Sequence, residues 1–162
     1  MKKTIYRPKV YLETSIPSYL TSRPGNDLRV CAIQNISYEW WANRRQFFEL
    51  YISELVIEES ALGDPEAAKK RLDLLIDIPR LQINESVEQL AAYLVSKGSL
   101  PRKAQLDALH IAVATIHGIE YLLTWNCTHI ANAIMRPRIE QACRDFGFEP
   151  PIICTPQELM EG

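Results

Sequence analysis

Asp107–Asn126 reads DALHIAVATIHGIEYLLTWN, and two different periodicities meet inside it. Leu106, Leu109, Val113 and Ile116 recur at helical spacing across Pro101–His117, and Gly118 then stops the helix. A short apolar run, Glu120–Thr124, follows at once and reads as a strand. Helix, glycine, strand is the unit that joins parallel strands, because parallel neighbours need a crossover that a helix usually supplies.

The same alternation extends in both directions. Upstream strands are expected at Lys9–Leu12, Phe48–Ile52 and Leu81–Ile83, and a downstream strand at Pro151–Cys154. A long helix is expected over Asp27–Phe47, carrying Trp40 and Trp41. Ser53 is placed to cap a helix through Leu55, Val56 and Glu59, ended by Gly63. Asp64-Pro65 restarts a helix, since Asp accepts from a free N–H and Pro at the first position has none to leave unpaired. Asn84 opens a further helix closed at Gly98, Pro137 begins another, and Thr155-Pro-Gln-Glu158 forms a capping box. Strands alternating with helices give an α/β fold of three layers, with a central, mainly parallel sheet of about five strands flanked by helices. No repeat or linker divides the chain, so residues 1–162 are expected to form one domain.

Composition narrows the function classes. The chain is 47% apolar and 23% charged, with no apolar run of bilayer-crossing length, so no membrane partner is expected. The basic start is cut short by Arg7, Pro8 and Lys9 before a secretory core can form, and a cytoplasmic location is expected. Cys31, Cys127, Cys143 and Cys154 are scattered without zinc-ligand spacing and are expected as reduced thiols. A net charge of −2 argues against a passive nucleic-acid coat. Arg23 and Arg102 are candidates for guiding an RNA phosphate chain, against a plainer role as exposed charge.

Carboxylates fall where strands end. Glu13 follows the first strand, Glu59 lies in the helix after the second, Asp107 precedes the fourth, and Thr124-Trp125-Asn126 follows it. In open α/β sheets ligands bind at the carboxyl ends of strands, at the switch point of the strand order. Two carboxylates about 4 Å apart repel by about 4 kcal/mol at the effective dielectric near a protein surface. With no Lys or Arg in the set, a hard divalent cation, Mg²⁺ or Mn²⁺, is the natural partner. Such an ion activates water and braces the oxygens of a phosphoryl displacement, which is nuclease chemistry.

These motifs carry a family resemblance. Val10–Ser15 (VYLETS), Ile52–Glu59 (ISELVIEE), Asp107–Asn126 and His129–Ala133 (HIANA) together resemble a PIN domain, close to the VapC-like ribonuclease toxins of type II toxin-antitoxin systems. The resemblance spans about Lys9 to Thr155 and is most specific in DALHIAVA with the TWN that follows. It implies a metal-dependent RNA endonuclease that leaves a 5′-phosphate and a 3′-hydroxyl. The family's acidic quartet falls on Glu13, Glu59, Asp107 and Asn126, with Glu13, Glu59 and Asp107 as metal ligands, and Ser15 and Thr124 in support. It further implies an RNA substrate, a homodimer and a cognate antitoxin.

The chain departs from the family pattern twice: Glu13 and Asn126 stand where Asp is usual. The amide keeps an oxygen ligand but removes one negative charge. The alternative is therefore a weakened or inactive PIN-fold module that binds RNA or protein. Haloacid dehalogenase-like phosphatases and receiver domains also place carboxylates after the first strand, but Glu13-Thr14-Ser15 lacks their constellations. Glu59 is preferred to its neighbour Glu58 on the family pattern. His110 is expected as a packed or capping side chain, and His117 and His129 as structural. Trp40, Trp41, Phe47 and Phe48 are assigned to packing or a partner surface, and Asn132 to a cap or a bond within the Asn126 loop.

Overall fold

The computed structural model describes residues 4–97 and 99–162. In chain order these form β1 (Lys9–Leu12), α1 (Ser15–Thr21), α2 (Leu28–Asn43), a 3₁₀ turn (Arg45–Phe47), β2 (Glu49–Ser53), α3 (Glu54–Ser60) and α4 (Pro65–Leu75). Then come β3 (Arg80–Leu81), α5 (Glu85–Ser96), a 3₁₀ turn (Arg102–Ala104), α6 (Gln105–Ile116), β4 (Tyr121–Leu123), α7 (Arg136–Asp145) and β5 (Ile152–Cys154).

The sheet order is β3-β2-β1-β4-β5, and every pairing is parallel. β1 is central, pairing Val10 with Leu50 of β2 on one side and with Tyr121 of β4 on the other. Val10, Tyr11 and Leu12 are wholly buried, as a strand covered on both faces requires. The order runs outward through β2 and β3, then restarts at β4, so the switch point lies between β1 and β4. Right-handed crossovers put α1 to α4 on one face of the sheet and α5 to α7 on the other. The helix contacts agree, with α1 packed on α2 and α4, and α5 on α6 and α7. That is the expected three-layer α/β arrangement.

Local corrections have identifiable causes. α1 was not expected, its Pro17 resembling a breaker; Pro17 lies in the first turn, where helix N–H groups have no intrahelical partner anyway. The expected helix over Pro101–His117 is a 3₁₀ turn followed by α6, so Asp107 lies in the first helical turn rather than the interior. A carboxylate there is favoured by the helix dipole, which removes part of the oddity of an Asp at that point. Asp27 caps α2 through bonds from the Arg29 and Val30 N–H groups, but the helix ends at Asn43 rather than Phe47. Asp64 and Asn84 cap α4 and α5 as expected, accepting from the Ala67 and Val87 N–H groups. Gly98, the expected stop of α5, lies outside the described residues. Gly118 ends α6 with φ of 67°, a left-handed conformation that costs glycine little.

Trp40 belongs to the core, stacking on Phe48 at 5.8 Å between ring centroids, and Phe48 meets Tyr121 edge-on. Phe47, by contrast, is exposed. Cys143 and Cys154 are buried and Cys127 is exposed, all as free thiols. Among the described residues no helix is long and apolar enough to cross a membrane.

Candidate functional site

Parallel pairing of β1 with β4 sets Leu12 beside Leu123, and the Glu13 N–H continues the ladder to the Leu123 carbonyl at 3.1 Å. The residues just past both strands, Glu13 and Thr124, are thereby brought side by side at the switch point. Glu13 is only 6% exposed, so its carboxylate needs internal donors. It has three. Ser15 Oγ and Thr124 Oγ1 each donate to Oε1 at 2.6 Å, and the Ser15 N–H donates to Oε2 at 3.0 Å.

Each hydroxyl also accepts from the loop after β4. Ser15 Oγ takes the Trp125 N–H at 2.8 Å, and Thr124 Oγ1 takes the Asn126 N–H at 2.9 Å. The two hydroxyls beside the Glu13 carboxylate therefore fix the turn that carries Asn126.

From Asn126 the network passes to α6. Asn126 Nδ2 donates to Asp107 Oδ1 at 3.0 Å, and its Oδ1 accepts the His129 N–H at 3.1 Å. His129 Nδ1 lies 2.7 Å from Asp107 Oδ2. His129, expected as structural, is a direct partner of the aspartate. The signal available was Asn126 three residues before it, a spacing at which an Asn side chain caps a following N–H.

Glu59 forms a second cluster next door. Its Oε1 accepts from Thr14 Oγ1 at 2.6 Å and from His110 Nε2 at 2.5 Å. Burial by itself would raise the Glu59 carboxyl, but its interaction with His110 and the bond from the Thr14 hydroxyl outweigh it and hold the pKa below its ordinary value. His110 is packed, as expected, with its other nitrogen 2.7 Å from Tyr11 Oη. Tyr11 Oη in turn meets Ser53 Oγ at 2.8 Å. Burial pushes the Tyr11 phenol far above its usual range, so it stays a neutral hydroxyl.

Glu13, Ser15, Thr124, Asn126 and Asp107 thus form one continuous hydrogen-bonded set, and Thr14, next to Glu13, ties Glu59 to it. Neither Arg23 nor Arg102 bonds to these carboxylates: Arg23 sits exposed on the loop after α1, held by a bond from Gln34 to its carbonyl. Arg102 lines a groove of about 700 Å³ with Leu55, Glu58, Leu106 and Leu109. Asn132 accepts from the Ile134 and Met135 N–H groups in the turn before α7 and donates to the Cys127 and Thr128 carbonyls, so it bonds the loop as considered, but it does not cap α7, whose N-cap is Met135.

Among the described residues, no three His, Cys, Asp or Glu side chains close into a ready-made metal cage. The donors still suit Mg²⁺ or Mn²⁺. They are hard oxygens; a carboxylate offers about four lone-pair sites, more than these bonds use. Mg²⁺ usually keeps several waters and shares its shell between protein carboxylates and substrate phosphate, so a closed protein cage is not required.

No family model matches the sequence, and no curated protein matches it at a significant level. Solved structures do match. The VapC20 toxin of Mycobacterium tuberculosis, described as cleaving the sarcin-ricin loop, superposes with a TM-score of 0.59 at 16% identity, over 76% of this chain and 95% of that one. VapBC2 from Rickettsia felis, bound to a DNA fragment from its promoter, gives 0.58 at 17% identity, over 91% and 98%. Identities this low speak for architecture alone, and the wholly parallel five-stranded sheet with helices on both faces has the PIN/VapC-like fold.

Proposed function

We propose that the protein is a metal-dependent RNA endonuclease of PIN type, a VapC-like toxin acting in the cytoplasm. The observation that carries this is the single hydrogen-bonded set running from Glu13 through Thr124 and Asn126 to Asp107 at the carboxyl ends of β1 and β4. Positions this far apart in sequence meet where the fold places its ligand crevice.

Glu13, Glu59 and Asp107 would hold Mg²⁺ or Mn²⁺. When bound, such an ion eases deprotonation of water and stabilises charge on phosphoryl oxygens. The chain's own work is orientation. Ser15 and Thr124 lock Glu13, while Asn126 and His129 hold Asp107 from either side. Arg23 and Arg102 would guide the RNA backbone, and cleavage would leave a 5′-phosphate and a 3′-hydroxyl. A homodimer and an antitoxin partner complete this reading; the R. felis neighbour, described as a VapBC complex, supports the second.

A PIN-fold binding module without cleavage is the second reading, favoured by the amide of Asn126 donating to Asp107 where the family pattern has a carboxylate. Incubating the purified protein with single-stranded RNA, with and without Mn²⁺, and determining the product ends separates the two. Mn²⁺-dependent 5′-phosphate ends support the nuclease. Intact RNA that is nevertheless retained by the protein supports the binding module.

A further inference from the structure

Ser53 stands at the N-cap of α3 with extended backbone angles, yet its hydroxyl makes no capping bond to that helix. It turns to Tyr11 Oη instead, at 2.8 Å. Tyr11 passes the contact to His110 Nδ1 at 2.7 Å, and His110 Nε2 reaches Glu59 Oε1 at 2.5 Å. Glu59 lies at the far end of the same short helix. The relay therefore ties both ends of α3 to β1 and α6, through side chains that are buried except at Glu59.

The hydrogens on this relay can be counted. An ionised Glu59 only accepts, so His110 Nε2 donates to it. If Nδ1 then accepts from Tyr11, and Tyr11 from Ser53, every donor has an acceptor. A hydrogen on Nδ1 would instead turn Tyr11 towards Ser53 and leave the Ser53 hydroxyl hydrogen without an acceptor in the relay, which is costly in a buried place. The network assigns the Nε2–H tautomer.

We infer that His110 is a positioning residue for Glu59: ordered by Tyr11 and Ser53, it fixes one carboxylate oxygen and leaves the other to a divalent cation. Both donors, His110 and Thr14, land on Oε1; among the described residues none lands on Oε2. The inference rests on the nuclease reading for its role in cleavage, but the relay itself does not. Partners that orient a ligand from outside the metal's own shell are typically worth about 10- to 100-fold in affinity or activity.

The test measures Mn²⁺ affinity by titration and single-stranded RNA cleavage at saturating Mn²⁺, on variants shown to be folded. His110→Ala is expected to lose roughly 10- to 100-fold in Mn²⁺ affinity and in kcat, with KM for RNA little changed. His110→Gln, whose amide reaches the position of Nε2, should recover most of that loss. Tyr11→Phe preserves packing and serves if His110→Ala fails to fold; it should weaken Mn²⁺ binding alone but add nothing in a Glu59→Ala background. In the metal-free protein, ¹⁵N–¹H spectra should place the ring hydrogen of His110 on Nε2.

Wild-type affinity in His110→Ala, no recovery in His110→Gln, or an effect of Tyr11→Phe that persists without Glu59 would each overturn the inference. Wild-type protein that binds Mn²⁺ but leaves RNA intact defeats the nuclease reading alone, and the affinities then decide on His110. Wild-type protein that takes up no Mn²⁺ defeats both.

Discussion

His129 Nδ1 lies 2.7 Å from Asp107 Oδ2, and Asn126 Nδ2 lies 3.0 Å from the other oxygen of the same aspartate. Asp107 is thus gripped on both sides by residues of the loop after β4. The amide at position 126 acts as a donor to its neighbour, a role a carboxylate there could not fill.

Asn126→Asp reverses that bond. Losing a hydrogen bond to a charged group and facing two carboxylates should destabilise the metal-free protein by about 2 kcal/mol. Mn²⁺ should restore the loss and bind more tightly than to wild type, since binding to the folded state alone stabilises it. Thermal unfolding with and without Mn²⁺ checks this; unchanged metal-free stability would show that the Asn126 to Asp107 bond contributes little.

Thr124→Val keeps the shape but removes the hydroxyl that donates to Glu13 and accepts from the Asn126 N–H. A lost bond to a buried charge is worth about 1.5–3 kcal/mol, and denaturant unfolding should show a loss of that size. Exposed Lys103 offers the contrast, where truncation should shift stability by less than about 0.5 kcal/mol.

The cysteines should separate by reactivity. Exposed Cys127 should label readily near neutral pH, while buried Cys143 and Cys154 should label only on unfolding. Burial pushes the Cys154 thiol up to about 12 from an ordinary value of 9.0. The folded pKa is the higher one, so this contribution to stability is intact below about pH 9 and is lost as pH rises towards 12. Cys154→Ala should flatten that alkaline decline, measured as unfolding free energy against pH.

Much of the fold was legible because its signals are local. Gly118 at the end of α6, Asp64-Pro65 and Asn84 each act on the few residues around them, and the structure places them as expected. Other features depended on distant partners. Ser53 reads as a helix cap from sequence, but Tyr11, remote in the chain, takes its hydroxyl. The spacing of Asn126 and His129 announces the bond to the His129 N–H, but the contact of the His129 side chain with Asp107 needed the loop after β4 to fold back onto α6. Gln34 is a third case: buried, it bonds Ser22, the Arg23 carbonyl and the Gly25 N–H, fixing the loop between α1 and α2. The link from Glu13 through Thr124 and Asn126 to Asp107 was inferable only through strand order, since β1 and β4 are neighbours in space and far apart in sequence.

Asp107→Asn tests the central claim most directly, because it removes one charge while preserving size and the α6 helix. Measured as Mn²⁺-dependent cleavage of single-stranded RNA beside wild type, the variant should lose about 100-fold or more in rate, the equivalent of a few kcal/mol of charge stabilisation. Cleavage at the wild-type rate would mean that the acids gathered at the carboxyl ends of the strands, Glu13 after β1, Glu59 in α3 and Asp107 in the first turn of α6, are not where the reaction occurs.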